Sequence, residues 1–223
     1  LTTALSAEYD QAGRILKLTH PDGSNEQRSY DQTGNLTELT NGLGQTSAYS
    51  YDALNHMSAA DEPAGNVSFR YDLHGNLSAV TDAKGRTTRY TYDDFGNRVA
   101  EVSPDTGTVT MRYDAAGNLI EKTDANTITV SYVYDALNRL TGIFYPDNAL
   151  NVAYTYDAGS NGKGRLTAVR DNSGSYGFQY NAFGELSAET ATINNHTFTT
   201  SYNYNHNGEL LTVTYPSGRT VTS

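Results

Sequence analysis

The sequence predicts an all-β chain built from tandem β-hairpins, and three observations carry that prediction. A Tyr-Asp or Tyr-Asn pair recurs at Tyr9, Tyr30, Tyr51, Tyr71, Tyr92, Tyr113, Tyr134, Tyr156, Tyr180 and Tyr204, at spacings of 21, 21, 20, 21, 21, 21, 22, 24 and 24 residues. Each copy holds two clusters of Gly, Asn, Asp or Pro, about ten residues apart, which punctuate a chain as turns do. Between the clusters lie short runs rich in Tyr, Thr, Val and Leu, the composition of strands. A fixed period of this size marks a repeat architecture, and about ten copies tile residues 1–223 as a single array with no unrepeated domain. A period of 21 is also three heptads, but a helix interior would lose about 1 kcal/mol at each Gly and about 3 at each Pro.

The first turn of each copy follows the Tyr, as in Tyr30-Asp31-Gln32-Thr33-Gly34. Asp at the first turn position and Gly at the fourth fit a type I turn closed by a residue at positive φ. That glycine is Gly13, Gly34, Gly75, Gly96, Gly117, Gly184 and Gly208; Asn55 and Asn138 replace it in two copies, and Asn tolerates the left-handed region. Asn181 and Asn205 replace the Asp. An amide keeps the acceptor but is neither an acid, a base nor an anionic metal ligand, so the repeated Asp reads as a turn-former.

The second turn is marked by proline. Pro21, Pro63, Pro104, Pro146 and Pro216 all fall twelve residues after their repeat's Tyr, where a fixed φ favours the second position of a turn outside the ladder. The strand entering each Tyr alternates: Tyr49, Phe69, Tyr90, Tyr132, Tyr154, Phe178 and Tyr202 stand two residues before it, with Met111 in one copy and Ala7 and Arg28 in the first two. Successive side chains point to opposite faces, so this row is an aromatic ladder on one face. After the first turn comes an aliphatic row, Ile15, Leu36, Met57, Leu77, Leu119, Leu140, Leu166, Leu186 and Leu210; repeat five departs with Arg98, and a bulge is expected there. Two segments lengthen the pattern: 157–164 enlarges a first turn, and 190–196 is expected to enlarge a second.

Composition bounds the function. The chain has no Cys and no Trp but 18 Tyr, so it has neither a disulfide framework nor a thiolate metal site. A net charge of −10 leaves no basic patch for nucleic acid. No apolar run reaches the roughly 20 residues of a membrane helix, and the first residues lack a signal peptide's charged and apolar regions. No cofactor is expected. Both ends read as cuts through a longer array, Thr220 to Ser223 stopping within a strand, and self-association through exposed strand edges is expected.

About twenty strands at about 4.8 Å would make a ribbon roughly 95 Å across. Open sheets rarely exceed about ten strands without curling, so a continuous curled or spiralling antiparallel sheet is expected, wrapped around a space too wide for its own side chains to fill.

The phrases YDQTGNLTELTNGLGQ, YDLHGNLSAVTDAKGRTTRYTYD and YDAAGNLIEKTD resemble the Rhs/YD-repeat family of bacterial polymorphic toxins, cocoon components of insecticidal toxin complexes, and teneurins. The resemblance covers the whole chain. It implies a section of a hollow shell that encloses a C-terminal toxin or other cargo polypeptide, partnered by the remaining repeats, by that cargo and by a secretion or delivery apparatus, in a secreted or cell-surface bacterial protein. The DPxG-type core element and the aspartate-dependent cleavage site of complete toxin members do not occur here, so no catalytic residue is carried over.

Two other function classes compete. Repeated Tyr and Asn on an exposed sheet could serve extracellular adhesion or carbohydrate binding. A glycosidase could use paired carboxylates such as Asp93 and Asp94, but acids that recur in every turn do not make the unique pair such chemistry requires, and the chain reads as no enzyme. Gly162-Lys163-Gly164 lacks the spacing of a phosphate loop. His20, His56, His74, His196 and His206 have no metal-ligand spacing and are expected in exposed turns. The Asn-x-Ser/Thr triplets at Asn35, Asn66, Asn76 and Asn195 are glycan acceptors only in a eukaryotic secretory pathway, and a Gly/Asn/Thr-rich repeat produces them unaided.

Overall fold

The computed structural model describes residues 5–222. It contains 21 antiparallel strands of one sheet that does not close, and a single 3₁₀ turn, Asn148–Leu150. The chain divides into two compact units, Leu1–Thr110 and Met111–Ser223.

In the first unit, β1 (Ser6–Tyr9), β2 (Ile15–Thr19), β3 (Asn25–Tyr30), β4 (Leu36–Thr40), β5 (Thr46–Tyr51), β6 (Met57–Glu62), β7 (Gly65–Tyr71), β8 (Leu77–Thr81), β9 (Thr87–Tyr92) and β10 (Arg98–Ser103) each pair with the next. β11 (Gly107–Tyr113) begins in this unit, pairing with β10, and ends in the second. The second unit continues with β12 (Leu119–Thr123), β13 (Thr129–Tyr134), β14 (Leu140–Phe144), β15 (Val152–Tyr156), β16 (Leu166–Asp171), β17 (Gly174–Tyr180), β18 (Leu186–Ile193), β19 (His196–Tyr204), β20 (Leu210–Thr214) and β21 (Thr220–Thr222). These too pair in order from β12 onward.

Each first turn sits between a strand that ends on the repeat Tyr and one that starts on the aliphatic row. The register there shifts by one residue: Glu8 faces Lys17 but Tyr9 faces Ile15, leaving Leu16 extra. The bulge expected in repeat five is present, since Arg98 faces Tyr92 and Ala100 faces Thr91. It is no peculiarity of that repeat. The same shift recurs in every first-turn hairpin whose register is described; in all but the β15–β16 hairpin, whose turn is enlarged, a four-residue turn with its last residue at positive φ returns the chain one residue out of step.

The segment 190–196 also differs from expectation. The added residues lengthen β18 and β19 to eight and nine residues, and the turn between them shrinks to Asn194-Asn195, both at positive φ (49° and 62°). Two consecutive left-handed residues define the tight type I′ hairpin.

The sheet has almost no interior. Ala60 and Met111 are the only buried hydrophobic residues among those described, and no large side chain is fully enclosed. The accessible surface is 14724 Å², about half more than the roughly 10,000 Å² of a compact monomer of this mass. One face is half-buried, and its rungs pair aromatic with aliphatic residues: Tyr49 with Ala60, Phe69 with Val80, Tyr132 with Ile143, Tyr154 with Val169 and Tyr202 with Val213. Each such cross-strand pair contributes about 0.2–1 kcal/mol. The rung of Tyr90 places Glu101 opposite the ring; the carboxylate is matched by Arg98 at 3.2 Å, whose guanidinium also stands 5.5 Å from the Tyr90 ring centre.

Candidate functional site

The first turns hold the arrangement that gives the sheet its cohesion. Asp31 shows the local unit. Its Oδ1 accepts from the backbone N–H of Thr33 at 2.9 Å and of Asn35 at 2.8 Å, while Oδ2 accepts from the Asn35 amide at 2.9 Å. The Asp mimics a backbone turn and satisfies donors the loop would otherwise leave open. Burial works against ionisation of Asp31, but the Asn35 and Thr33 hydrogen bonds outweigh it and hold the carboxyl at a pKa of about 2. Asp10, Asp52, Asp72, Asp93, Asp114 and Asp135 are held below the usual carboxylate range in the same way.

The residue four after each Asp completes the turn, and its chemistry follows the Asp. Arg14, Asn35, His56, Asn76, Asn97, Asn118 and Arg139 all contact their Asp Oδ2 from a side-chain nitrogen. Where the turn residue is Asn181 or Asn205, the fourth residue is Glu185 or Glu209, and the amide donates to it at 2.6 Å in both turns. This donor-for-acceptor exchange was open to inspection in the sequence and is the signal that sequence reasoning passed over.

The repeat Tyr joins one copy to the one before. Its hydroxyl donates to the backbone carbonyl at the start of the strand that leaves the preceding first turn: Tyr30 to Ile15 (3.0 Å), Tyr51 to Leu36 (2.9 Å), Tyr71 to Met57 (3.0 Å) and Tyr92 to Leu77 (3.0 Å). In the second unit Tyr134 donates to Leu119 (3.0 Å), Tyr156 to Leu140 (2.9 Å), Tyr180 to Leu166 (2.7 Å) and Tyr204 to Leu186 (3.0 Å). Burial pushes the hydroxyls of Tyr51, Tyr92 and Tyr134 up from their ordinary value, which keeps them protonated and donating.

The ring is covered from the same side. The guanidinium of Arg14 stands 4.6 Å from the Tyr30 centroid, Arg139 4.4 Å from Tyr156, and Arg165 5.5 Å from Tyr180. His56 stacks on Tyr71 at 4.6 Å. Placing His56 in an exposed turn is therefore a correction: its half-buried imidazole bridges Asp52 and the next repeat's ring. His20 likewise meets Glu26 at 3.4 Å.

The glycines stand where the turn needs them. Gly13, Gly34, Gly75, Gly96, Gly117, Gly184 and Gly208 all have φ between 79° and 96°, a region costing an L-residue about 1–2 kcal/mol. Asn55 and Asn138 adopt φ of 66° and 58°, and each accepts at 2.8 Å from the amide of the preceding repeat, Asn35 and Asn118 respectively.

The enlarged turn 157–164 keeps the same frame. Asp157 no longer closes onto the fourth residue; it forms a two-pronged pair with Arg139 of the repeat before, at 2.6 and 3.1 Å. Asn161 anchors the loop on the Tyr180 carbonyl at 2.9 Å. Gly162 is buried against the Ala158 carbonyl, where a Cβ would collide. Lys163 gives its carbonyl to Arg165 at 3.1 Å, and a cleft of about 410 Å³ lies beside the loop.

Asp93 is occupied by Phe95 and Asn97, and among the described residues no three His, Cys, Asp or Glu side chains gather to hold a metal ion. No helix there is long and apolar enough to cross a membrane.

The family model for the teneurin YD-shell matches residues 2–162, and the model for the RHS repeat matches residues 161–193. Both describe structural repeat or shell modules. No curated protein sequence matches the chain. Among solved structures, the crystal structure of TcdB2-TccC3-Cdc42 is similar with a TM-score of 0.67 at 14% identity over 96% of this chain and 15% of that one. TcdB2-TccC3 without its hypervariable C-terminal region gives 0.58 at 14% identity, over 97% and 15%. The Tc holotoxin pore of Photorhabdus luminescens gives 0.62 at 15% identity, over 98% and 15%. The chain thus spans about 15% of the length of these neighbours, with which it shares a fold. With turns, strands and tyrosine clamps repeating at one period, and with the shell model matched over residues 2–162, the chain belongs to the teneurin YD-shell family.

Proposed function

We propose that this chain is a section of the wall of a β-shell that encloses and sequesters a C-terminal toxin or other cargo polypeptide of the same protein for delivery. The observation that carries the reading is a single layer joined rung by rung through tyrosine clamps, with nothing packed over it to make a core. A sheet of this kind is built to cover space. On this reading residues 1–223 are one array of about ten repeats within a larger shell, and the ten Tyr and seven Gly named above are its structural positions. The wall supplies surface and exclusion, not reaction chemistry. Its partners are the remaining repeats, the cargo and a secretion or delivery apparatus, and the parent protein is a secreted or cell-surface bacterial one. The similar structures support this through a shared fold and through a TccC3 component whose C-terminal region is hypervariable.

Small-angle scattering on the longest natural protein containing these repeats, with and without its C-terminal region, tests the proposal. A hollow profile that fills when the region is present is expected. A solid or extended profile, unchanged by that region, would overturn it.

A further inference from the structure

Three consecutive second turns of the second unit depart from the repeat, and they are neighbours along one edge of the sheet. The first is the loop between β14 and β15 with its 3₁₀ turn Asn148–Leu150, the second the tight turn at Asn172-Ser173, the third the Asn194-Asn195 tip of the long β18–β19 hairpin. Two clefts open between them. One, of about 290 Å³, is lined by Phe144, Asn148, Arg170 and Asn172 among others; the other, of about 560 Å³, by Arg170, Asn172, Thr192, Asn194 and Asn195 among others. Arg170, Asp171 and Asn172 line both, so the clefts lie on either side of one short ridge.

The ridge gathers open polar groups. Arg170 is exposed and, like Arg70 and Arg89, belongs to none of the ion pairs or side-chain hydrogen bonds found among the described residues, whereas Arg28, Arg86, Arg112 and Arg139 are tied to Asp or Glu. The side-chain amides of Asn172, Asn194 and Asn195 likewise form no hydrogen bond found among the described residues. Asp171 is not free to answer Arg170: its Oδ1 accepts from the Ser173 N–H at 2.8 Å and hydroxyl at 2.6 Å, and from the Gly174 N–H at 3.2 Å. The far wall of the smaller cleft is the ring of Phe144. That ring is 46% exposed, yet it folds back over Gly142, where an added Cβ would meet Cε2 at 2.7 Å and Cζ at 3.0 Å. A glycine at this point of the strand leaves room for the ring to lie against the sheet.

An exposed aromatic ring held against a rigid sheet, beside amides that both donate and accept and a guanidinium with open donors, matches vicinal hydroxyls above a hydrophobic C–H face. The larger cleft is lined mainly by polar groups and the smaller one mainly by apolar ones, and volumes of about 290 and 560 Å³ stand at the bottom and in the middle of the roughly 300–1,000 Å³ range of small-ligand sites. The carboxylate of Asp171, next to Arg170 in the lining of both clefts, disfavours an anionic ligand. We infer that this edge binds a neutral oligosaccharide, with one pyranose stacked on Phe144 and the next bonded by Arg170, Asn172 and the Asn194-Asn195 tip. The site does not depend on whether the wall encloses a cargo.

Titration of the ¹⁵N-labelled chain with maltose, cellobiose, lactose and chitobiose tests it by NMR. The expected result is a Kd in the millimolar range for at least one disaccharide, with shift changes at Arg170, Asn172 and the Phe144 ring, weakened at least about tenfold by Arg170→Gln and by Phe144→Ala. Arg170→Gln removes no ion pair or side-chain hydrogen bond found among the described residues, so it separates binding from folding. Leu73→Ser, at a first-turn tip of the other unit, should leave the affinity unchanged. Absence of shifts with all four sugars would overturn the inference, as would shifts that survive Arg170→Gln, or binding of an acidic peptide in place of the sugars.

Discussion

The two edges of the sheet, the first turns and the second turns, obey different rules. Along the first-turn edge nearly every copy repeats the same four-residue turn, the same Asp or Asn acceptor and the same tyrosine clamp. Along the second-turn edge the chain tolerates the type I turn His20-Pro21-Asp22-Gly23, the two-residue turn Pro63-Ala64, a 3₁₀ loop and a long projecting hairpin. The clamps explain the contrast. Every hydroxyl-to-carbonyl bond between successive repeats lands beside a first turn, so a residue inserted there displaces a bond to the neighbouring copy. A second turn is closed locally, often by a threonine pair such as Thr40–Thr46 at 2.9 Å or Thr81–Thr87 at 2.8 Å, and can lengthen without breaking a tyrosine clamp. The spacing changes from 20 to 24 residues fall mostly on that freer edge. The enlarged turn 157–164 is the exception that keeps the rule, since Tyr156 and Tyr180 retain their carbonyl bonds on either side of it.

The sharpest way to break the contrast is at that exception. Gly162→Ala puts a methyl into the Ala158 carbonyl and against Thr167, a collision with backbone that cannot be relieved by a rotamer change. We expect a loss of about 3 kcal/mol or more, measured by urea unfolding. Gly85→Ala, at a second turn whose Cβ would meet nothing within 4 Å, should cost only the left-handed penalty of about 1–2 kcal/mol.

A second comparison sets one clamp against a site without an observed clamp. Tyr71→Phe keeps the ring over His56 but leaves the Met57 carbonyl without its donor, and an unsatisfied buried acceptor costs about 1–3 kcal/mol. Tyr9, which is largely exposed, should lose less than about 0.5 kcal/mol on the same change. Equal losses at the two sites, read from thermal or denaturant midpoints, would show that the hydroxyl bond is not what joins the copies.

The smallest effect is graded by pH. Asp31 and Asp157 titrate at about 2 in the folded chain, below the unfolded value near 4. Their contribution is fully present above the unfolded pKa and fades as pH falls through the window from about 4 to about 2. In the Asn181 and Asn205 turns the acceptor of the backbone N–H is an amide oxygen, which does not titrate; the Glu185 and Glu209 carboxylates only accept from the amide nitrogen. Amide exchange followed across that window should therefore show the first turns at Asp31, Asp72 and Asp93 loosening before those at Asn181 and Asn205. Simultaneous loosening of all turns would remove the carboxylate's role.

Particular residues show how much could be read beforehand. The turn positions at Asp31 and Gly34 follow from conformational rules local to four residues, and the face of Tyr49 and Tyr51 from simple alternation. The bulge was expected only at Arg98 because the sequence disturbs the aliphatic row there; it occurs throughout because the turn geometry, not the side chain, produces it. The strand extension in 190–196 was hidden because Thr and Asn occur in both the turns and the strands of this chain. The exchange of Asp10 and Arg14 for Asn181 and Glu185 was legible and needed only the fourth residue to be read with the first.

By itself the sequence determined the period, the two turns of each copy, the aromatic face and the family, since all of these depend on residues close in the chain or on their recurrence. Only the tertiary structure decided the partner of each tyrosine hydroxyl, because a backbone carbonyl about fifteen residues away carries no side-chain signature of its own. It likewise decided the meeting of Phe144, Arg170 and Asn172 along one edge, because three turns that are separate in sequence become neighbours only when the strands between them pair.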